Sequence, residues 1–323
     1  MRAIVHEHYG APSVLELREV PEPEATGDRI LIRVRAASVN RSDWETLTAR
    51  PAVVRLSGSG FWRPRRPILG SDMAGVIEAV GPAVTEFEPG DEVLGDIIWH
   101  GLGAFAEYVS VPATAPLVRK PPEISFEQAA ALPQAAGLAL QGLRSKRETQ
   151  SGDRVLIVGA GGGGGSFAVQ LAAAVGAEVT GVDSRAKLEF IQSIGADHVI
   201  DYTADDYTKR GERFDRILDF VGSHSILANQ RVLSPGGVYS MVGGSIPRLL
   251  GAVLGGWLLS RTHRQMGLLI SHPSADDLSD VVSLVVEGTM RPMIDKTYPL
   301  NEVPAALSYL GSGHAKGKLV IAI

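Results

Sequence analysis

The residues of this chain best suited to chemistry lie in a glycine-rich segment near its middle. Gly159 is followed by five consecutive glycines, Gly161 to Gly165, between an apolar run, RVLIV, and an apolar helical pattern, SFAVQLAAAV. Glycines between a strand and a helix let backbone N–H groups approach a pyrophosphate at the helix N-terminus. A second predicted strand ends in Asp183, 18 residues beyond Gly165, near the spacing expected of a ribose-binding acid. The pattern predicts a dinucleotide-binding site.

The residues around Asp183 bear on which dinucleotide binds, and they point in both directions. A carboxylate at Asp183 would accept hydrogen bonds from the ribose hydroxyls and repel a 2′-phosphate, which favours NAD. Ser184, Arg185 and Lys187 follow at once, and a hydroxyl with two cations is suited to binding that phosphate, which favours NADP. The sequence therefore predicts NAD(P)H as cofactor and leaves NADH and NADPH open.

Other predicted strands of this region end in residues that we also expect at the cofactor. Ligands of open parallel sheets bind outside the carboxyl ends of the strands. The residues that follow the strands HVID, ILDF and YSMV are Tyr202, Val221, Gly222, Gly243 and Gly244. Ordinary turn glycines and a helix-packing tyrosine are the alternative interpretation of this set.

Two different patterns of apolar and turn residues along the chain predict the elements that position these residues. From Arg154, apolar strands alternate with helical patterns over short connections, which indicates an α/β fold with a doubly wound parallel sheet. Before about residue 120, short strands are broken by turn residues, which indicates a β-rich, barrel-like domain. Between them, Ser125 and Gln128 form a capping-box pattern that predicts a helix start. The closing strand, KLVIAI, is expected to rejoin the first domain.

Composition restricts the partners of the protein. A length of 323 residues favours two domains, and a net charge of −5 argues against nucleic-acid binding. The absence of cysteine excludes disulfides and thiolate zinc sites, and it fits a reducing cytoplasm. The most apolar segment, Leu249 to Leu259, has eleven residues, against the roughly 20 needed to span a bilayer. We expect a buried or partner-facing helix there, and no membrane partner.

Several longer phrases resemble the medium-chain dehydrogenase/reductase superfamily, and within it the zinc-free quinone oxidoreductase (zeta-crystallin-like) branch. They include PILGSDMAGVIEAVGPAVTEFEPGDEV, GAFAEYVSVP, SIGADHVIDYT and LSPGGVYSMVG. The resemblance implies a GroES-like catalytic domain over residues 1–120, completed by about 290–323, and a Rossmann NAD(P)-binding domain over 121–289. It also implies a homodimer or homotetramer, of which we expect the homodimer, and a small-molecule substrate, a quinone or an α,β-unsaturated carbonyl compound (an enone).

The resemblance also bears on the catalytic residues. Zinc-dependent members carry ligands where this chain has Asn40, in NRSD, and Ser71, in GSDMAG, so no metal is expected. Without zinc, hydride transfer to an already activated acceptor is the most accessible chemistry, and the protein must supply a donor to the oxygen that gains charge. The family places Asn40 beside nicotinamide and substrate, which makes its amide the first candidate. Asp43 is predicted to relay a proton or orient Asn40, with a turn-forming role as the alternative.

Four further residues are assigned by the same resemblance. Trp44 is a candidate for stacking on a flat acceptor, with a core role as the alternative. Trp62 lies in an Arg-rich stretch, residues 55–67, that is either a substrate lid or a solvated loop. Leu138 stands where relatives carry a threonine facing the nicotinamide, and Lys318 belongs to a recurring phrase, GHAKGKLV. We assign the first three to the substrate and Lys318 to the cofactor.

The family phrase also sets the register of the glycine run. Alignment through SFAVQ places Gly159 in the turn, Gly162, Gly163 and Gly165 at the pyrophosphate, and Ser166 in the first helical turn. Gly161 and Gly164 then stand where relatives carry serine and valine. The run is therefore expected to hold two glycines more than the fold needs.

Two other functions fit the same features. One is an alcohol or aldehyde dehydrogenase/reductase of the same superfamily, which the missing zinc ligands disfavour. The other is a non-catalytic NAD(P)-binding sensor or crystallin-like protein, which would bind the cofactor but oxidise none of it in the presence of acceptors.

Overall fold

The computed structural model describes residues 1–50, 60–259 and 264–323. Strands of these ranges are β1 (Arg2–Val5), β2 (Glu16–Glu19), β3 (Arg29–Val39), β4 (Asp72–Val80), β5 (Glu92–Asp96), β6 (Tyr108–Pro112), β7 (Leu117–Arg119), β8 (Arg154–Val158), β9 (Glu178–Asp183), β10 (His198–Asp201), β11 (Phe214–Asp219), β12 (Leu233–Met241), β13 (Gln265–Leu268), β14 (Ile294–Pro299) and β15 (Lys318–Ala322). The helices are α1 (Arg41–Thr48), α2 (Phe126–Ala130), α3 (Pro133–Arg144), α4 (Gly163–Ala174), α5 (Leu188–Ser193), α6 (Ile226–Val232), α7 (Ile246–Leu259), α8 (Ala275–Val286) and α9 (Val303–Gly311).

The chain forms two compact units. One contains Met1–Ala135, Pro273–Val286 and Ile294–Ile323, and the other contains Ala136–His272 and Glu287–Met293. The first unit thus includes the capping-box helix, α2. It also includes α8 and the C-terminal strands β14 and β15, which come from the later part of the chain.

The second unit is built on a six-stranded parallel sheet in the order β10-β9-β8-β11-β12-β13. Strand β8 is apolar and buried after its first residue, and β11 is buried at five of its six positions although it carries Arg216 and Asp219, as expected of strands covered on both faces. The order reverses between β8 and β11, the place where open sheets of this kind bind ligands. The predicted doubly wound sheet is confirmed, and the glycine loop leaves β8 at this reversal.

The first unit is built on a seven-stranded, mostly antiparallel sheet centred on β3, which pairs with β4, β6 and β15. The closing strand β15 lies antiparallel to β3, so its expected return to the first domain is confirmed. Alternating side chains of these strands fill one core, which includes Ile30, Ile32, Met73, Val93, Leu319 and Ile321.

Local signals explain two helix boundaries. Ser125 caps α2: its hydroxyl accepts from the Gln128 N–H at 3.2 Å, and the Gln128 side chain accepts from the Ser125 N–H at 2.9 Å. The expected single helical region is divided, however, because Pro133 has no N–H to donate and starts a new helix, α3. The apolar segment from Leu249 lies within α7. Across the described ranges, none of the helices has the length and apolar character needed to cross a membrane.

Candidate active site and cofactor loop

The glycine run forms the turn between β8 and α4. Gly159 has φ +82°, a left-handed conformation that favours glycine, and Gly162 is the N-cap residue of α4, which begins at Gly163. A β-carbon on Gly165 would lie 2.1 Å from the carbonyl oxygen of Gly159, so the helix can approach the turn only without a side chain there. The loop leaves backbone N–H groups at a helix N-terminus, the chemistry that fits a pyrophosphate.

The two glycines expected to be surplus, Gly161 and Gly164, both lie against neighbouring side chains. A β-carbon on Gly164 would lie 2.5 Å from the ring of Phe220, and one on Gly161 would lie 2.7 Å from the Lys187 side chain. The expectation of two unneeded glycines is therefore wrong. This chain packs an aromatic ring and a lysine against positions where larger residues would not fit.

Asp183 ties the glycine loop to the end of β9. It is 9% exposed, and its carboxylate accepts from the Gly161 N–H at 2.9 Å and from the Ser184 N–H at 2.8 Å. The ammonium of Lys187, itself buried, lies 3.7 Å from the same carboxylate, whereas Arg185 is exposed. The acid and one of the two competing cations thus form a pair.

The loop after β11 is held by an acid that sequence reasoning missed. Asp219 is fully buried, and its carboxylate accepts from the N–H groups of Val221 at 3.0 Å and Gly222 at 2.8 Å and from the Tyr239 hydroxyl at 3.1 Å. Burial raises the pKa of Asp219, against these donors. A strand that ends in Asp followed by Phe-Val-Gly is the available signal, because Asp side chains commonly bond the backbone two residues on.

The remaining predicted cofactor residues lie in varied surroundings. Ser166 is buried and donates its hydroxyl to the Gly163 carbonyl at 2.9 Å. Tyr202 is exposed beyond β10, while Gly243 and Gly244 follow β12. Lys318 lies in the first unit, within a different group of polar side chains.

That group, which we call the Asn40 cluster, consists of Ser38, Asn40, Ser71, Asp72, Gln134 and Lys318. The amide nitrogen of Asn40 donates to Asp72 at 2.8 Å and to the Ser71 hydroxyl at 3.1 Å, and the Lys318 ammonium donates to the Asn40 carbonyl oxygen at 2.5 Å. Asn40 is 6% exposed and Lys318 2%. In the described part of the chain, no three His, Cys, Asp or Glu side chains converge in a way that could hold a metal ion.

Asp72 is the centre of the Asn40 cluster. One oxygen accepts from the Ser38 hydroxyl at 2.9 Å and from Asn40, with Lys318 at 3.4 Å, and the other accepts from the Gln134 backbone N–H at 3.0 Å. A buried carboxylate requires this number of donors and a counter-charge. Sequence reasoning missed Asp72, although it directly follows Ser71.

Two more buried acids lie beside the Asn40 cluster. Asp43 accepts from the N–H groups of Asn40 at 2.9 Å and Gly70 at 3.2 Å, yet burial raises its pKa to about 7, with a further contribution from Asp72. Asp96 pairs with Asp72 across β4 and β5, and burial, then Asp72, raises its pKa well above the usual range. Asp43 and Asp96 therefore hold protons more readily than ordinary carboxyls.

The predicted substrate residues do not share one environment. Trp44 packs against Gly311 of α9, where a β-carbon would lie 2.5 Å from the indole nitrogen, and the Arg41 guanidinium lies 4.4 Å from its ring centroid. Trp62 is 86% exposed, edge-on to Phe61, and residues 55–59 of its stretch lie outside the described residues. Leu138 is half-buried on α3.

The raised pKa of Asp43 predicts a pH-dependent stability. A carboxyl whose pKa rises on folding stabilises the fold most below its unfolded pKa of 3.8, and this contribution is lost as the pH rises through about 7. We expect the free energy of unfolding, and with it the melting temperature, to fall between pH 5 and 8. Asp43→Asn should remove the part of that fall in free energy that comes from Asp43, on the order of a few kcal/mol. Calorimetry across this range measures it; an identical pH dependence in the variant would contradict the account.

Asp183 predicts a change in cofactor preference. Asp183→Ser removes the charge that would repel a 2′-phosphate and releases Lys187 from its pair. The dissociation constant of NADH divided by that of NADPH should therefore rise by about 10-fold, or roughly 1.4 kcal/mol in favour of NADPH. Asp205, an exposed acid that pairs with Arg210 at 2.8 Å, supplies the charge-matched control, Asp205→Ser. Fluorescence titration measures both; an unchanged ratio would mean that Asp183 does not face the ribose.

Comparisons with known proteins agree with this architecture. Residues 26–122 match the family model of the alcohol dehydrogenase GroES-like domain, and residues 194–321 match that of a zinc-binding dehydrogenase. The chain is 33% identical to 2-methylene-furan-3-one reductase of Solanum lycopersicum and 32% identical to an NADPH-dependent alkenal/one oxidoreductase of Arabidopsis thaliana, in each case over 99% of this chain and 79% of the relative.

A solved structure shows the same likeness in three dimensions. The quinone oxidoreductase from Coxiella burnetii superimposes with a TM-score of 0.89 at 30% identity, over 100% of this chain and 99% of that one. The resemblance drawn from the motifs is confirmed. With this identity over nearly its whole length, the chain belongs to the medium-chain dehydrogenase/reductase superfamily, among its quinone and alkenal/one oxidoreductases.

Proposed function

We propose that this protein is an oxidoreductase that uses NADH or NADPH to reduce quinones or α,β-unsaturated carbonyl compounds without a metal. The observation that carries the proposal is the Asn40 cluster. An amide with two N–H donors, buried beside an ammonium, stands where zinc-dependent members of the superfamily hold their metal. The names of the relatives support this substrate class.

The glycine loop is the proposed cofactor site. Gly159, Gly162, Gly163 and Gly165 would hold the pyrophosphate, because the loop has no side chains in the way and faces it with helix N-terminal N–H groups. Asp183 and the three residues assigned beside it, Ser184, Arg185 and Lys187, would face the adenosine ribose. The strand-end residues assigned to the cofactor, Tyr202, Val221, Gly222 and Gly243, would complete the site.

The chemistry asked of the protein is limited. A bound reduced nicotinamide supplies a hydride, which converts the acceptor C=C–C=O to an enolate or a quinone to a hydroquinone anion. Asn40 would donate an N–H to the oxygen that gains charge, which lowers the barrier because the donor is already in place and shielded from water. The proton that completes the reduction then comes from solvent.

The proposal is tested by binding and turnover together. Parallel titrations with NADH and NADPH establish the cofactor, and oxidation of the bound form is then followed against a panel of quinones and enones. Acceptor-dependent oxidation supports the proposal. Binding without oxidation would indicate a sensor, and alcohol oxidation that appears with added zinc would indicate the dehydrogenase alternative.

Asn40 is the residue on which turnover should depend most. Asn40→Ala removes the proposed donor, and we expect kcat to fall by about 100-fold, the cost of losing one oxyanion donor, while the dissociation constant of the cofactor changes little. Ser308→Ala, an exposed position on α9, serves as a surface control. Steady-state kinetics measure the effect; unchanged turnover would remove Asn40 from the mechanism.

We also propose that two copies associate through the edge of the parallel sheet. Strand β13 is the last strand in the sheet order, and α7, which packs against β13, exposes Leu250, Val253 and Leu254. Ile270, just beyond β13, is 70% exposed. A sheet edge beside exposed apolar side chains favours pairing with another chain. We propose a cytoplasmic location as well, with which the absence of cysteine agrees.

Light scattering tests the dimer. The mass should be twice 34.2 kDa, and Leu254→Glu should shift it toward one copy because a charge would be buried in the interface. A wild-type mass of one copy at micromolar concentration would overturn this assignment and leave the assignment of the reaction untouched.

A further inference from the structure

The surroundings of Lys318 do not match those of a cofactor ligand. Its ammonium is 2% exposed and lies 2.5 Å from the carbonyl oxygen of Asn40 and 3.4 Å from Asp72. A lysine that held a phosphate would need its N–H groups free to reach it. We propose, resting on the function assigned above, that Lys318 is instead a positioning residue: with Asp72 it fixes and polarises the Asn40 amide.

The two charges leave the amide of Asn40 a single orientation. Its oxygen lies against the ammonium and its nitrogen lies 2.8 Å from the carboxylate. The reversed amide would set N–H groups against the ammonium of Lys318 and the oxygen against the carboxylate of Asp72, two repulsive contacts without a hydrogen bond. The N–H groups of Asn40 therefore point away from Lys318, and the amide does not need to reorient when a substrate binds.

The same charges strengthen the donor. A cation at the oxygen and an anion at the nitrogen both favour the charge-separated form of an amide, and hydrogen bonds in such a chain reinforce one another, the more so in a dry environment. Lys318 thus acts on the N–H groups of Asn40 through the amide itself.

The second N–H of Asn40 is the one available to a substrate. The first N–H donates to the Asp72 carboxylate, whereas the second donates to the Ser71 hydroxyl at 3.1 Å. A neutral hydroxyl accepts more weakly than an oxygen that is gaining negative charge. A substrate oxygen can therefore replace Ser71 as its acceptor, and the contact strengthens as charge develops, which is the condition for raising kcat.

The strand register brings these residues together. Leu319 of β15 pairs with Val39 of β3, and Ser38 of β3 pairs with Asp72 of β4. Lys318 and Asn40 are the next residues along their antiparallel strands. The ammonium thus reaches the amide from a neighbouring position, 278 residues away in sequence.

The test separates positioning from cofactor binding. Removal of Lys318 alone would leave Asp72 buried and unpaired, so the neutral double variant Asp72→Asn/Lys318→Gln is compared with wild type and with Lys318→Arg. We expect the double variant to lose about 10-fold or more in kcat, part of the 100- to 1000-fold that a whole oxyanion donor is worth. Its cofactor dissociation constant should stay within about 2-fold of wild type. The single variant Lys318→Arg should keep a kcat closer to that of wild type than the double variant does, because it keeps the cation.

A second readout needs neither substrate nor cofactor. In nitrogen–proton correlation spectra, with the Asn40 side-chain peaks assigned by their absence in Asn40→Ala, the double variant should shift those peaks upfield as the amide loses its polarisation. Unshifted peaks would overturn the inference, as would unchanged kcat in the double variant. A cofactor dissociation constant raised 10-fold at constant kcat would return Lys318 to the cofactor site. If wild type reduced no acceptor, the proposed reaction would fail, and the peak positions alone would decide the polarisation.

Discussion

The buried ion pair between Lys318 and Asp72 is the interaction on which the arrangement of the first unit depends. A carboxylate with 0% exposure and an ammonium with 2% exposure are costly to bury. Each is tolerated only because the other, and the Asn40 amide between them, is in place. Residues of the last strand, of β4 and of the start of α1 must therefore meet, which requires β15 to complete the sheet that the first strands begin.

This constraint also defines the candidate chemistry. The Asn40 side chain is held by the ion pair, and the carboxylate of Asp43 accepts from the Asn40 backbone N–H at the start of α1. Polar groups in the Asn40 cluster are thus hydrogen-bonded to one another in the absence of a ligand. Preorganised donors of this kind cost no reorganisation when charge develops on a substrate oxygen.

In the second unit the corresponding constraint is steric. Gly165 lets α4 reach the turn at Gly159, and Gly161 gives its N–H to Asp183 while leaving room for Lys187. One pair of opposite charges, Asp183 and Lys187, therefore lies beside the loop. Arg185 is exposed, in contrast to the buried Lys187.

Periodicity and local motifs predicted the parallel sheet, the β-rich domain, the returning strand and the Ser125 cap, because each depends on residues close together in sequence or on a regular pattern. The motif resemblance singled out Asn40. The role of Asp72 and the partner of Lys318 could not be predicted, since they depend on side chains that meet only after strands far apart in sequence have paired. The need for Gly164 likewise depends on where the Phe220 ring packs, which no local pattern contains.

In the proposed reaction, hydride goes to the activated carbon of a conjugated acceptor and Asn40 supports the charge on its oxygen. The most direct measurement uses NADH or NADPH carrying deuterium at the transferred position, an enone and product analysis by mass spectrometry and NMR. We expect a saturated ketone with one deuterium on the β-carbon and a solvent proton on the α-carbon. Deuterium on the carbonyl carbon, in an allylic alcohol, would contradict it.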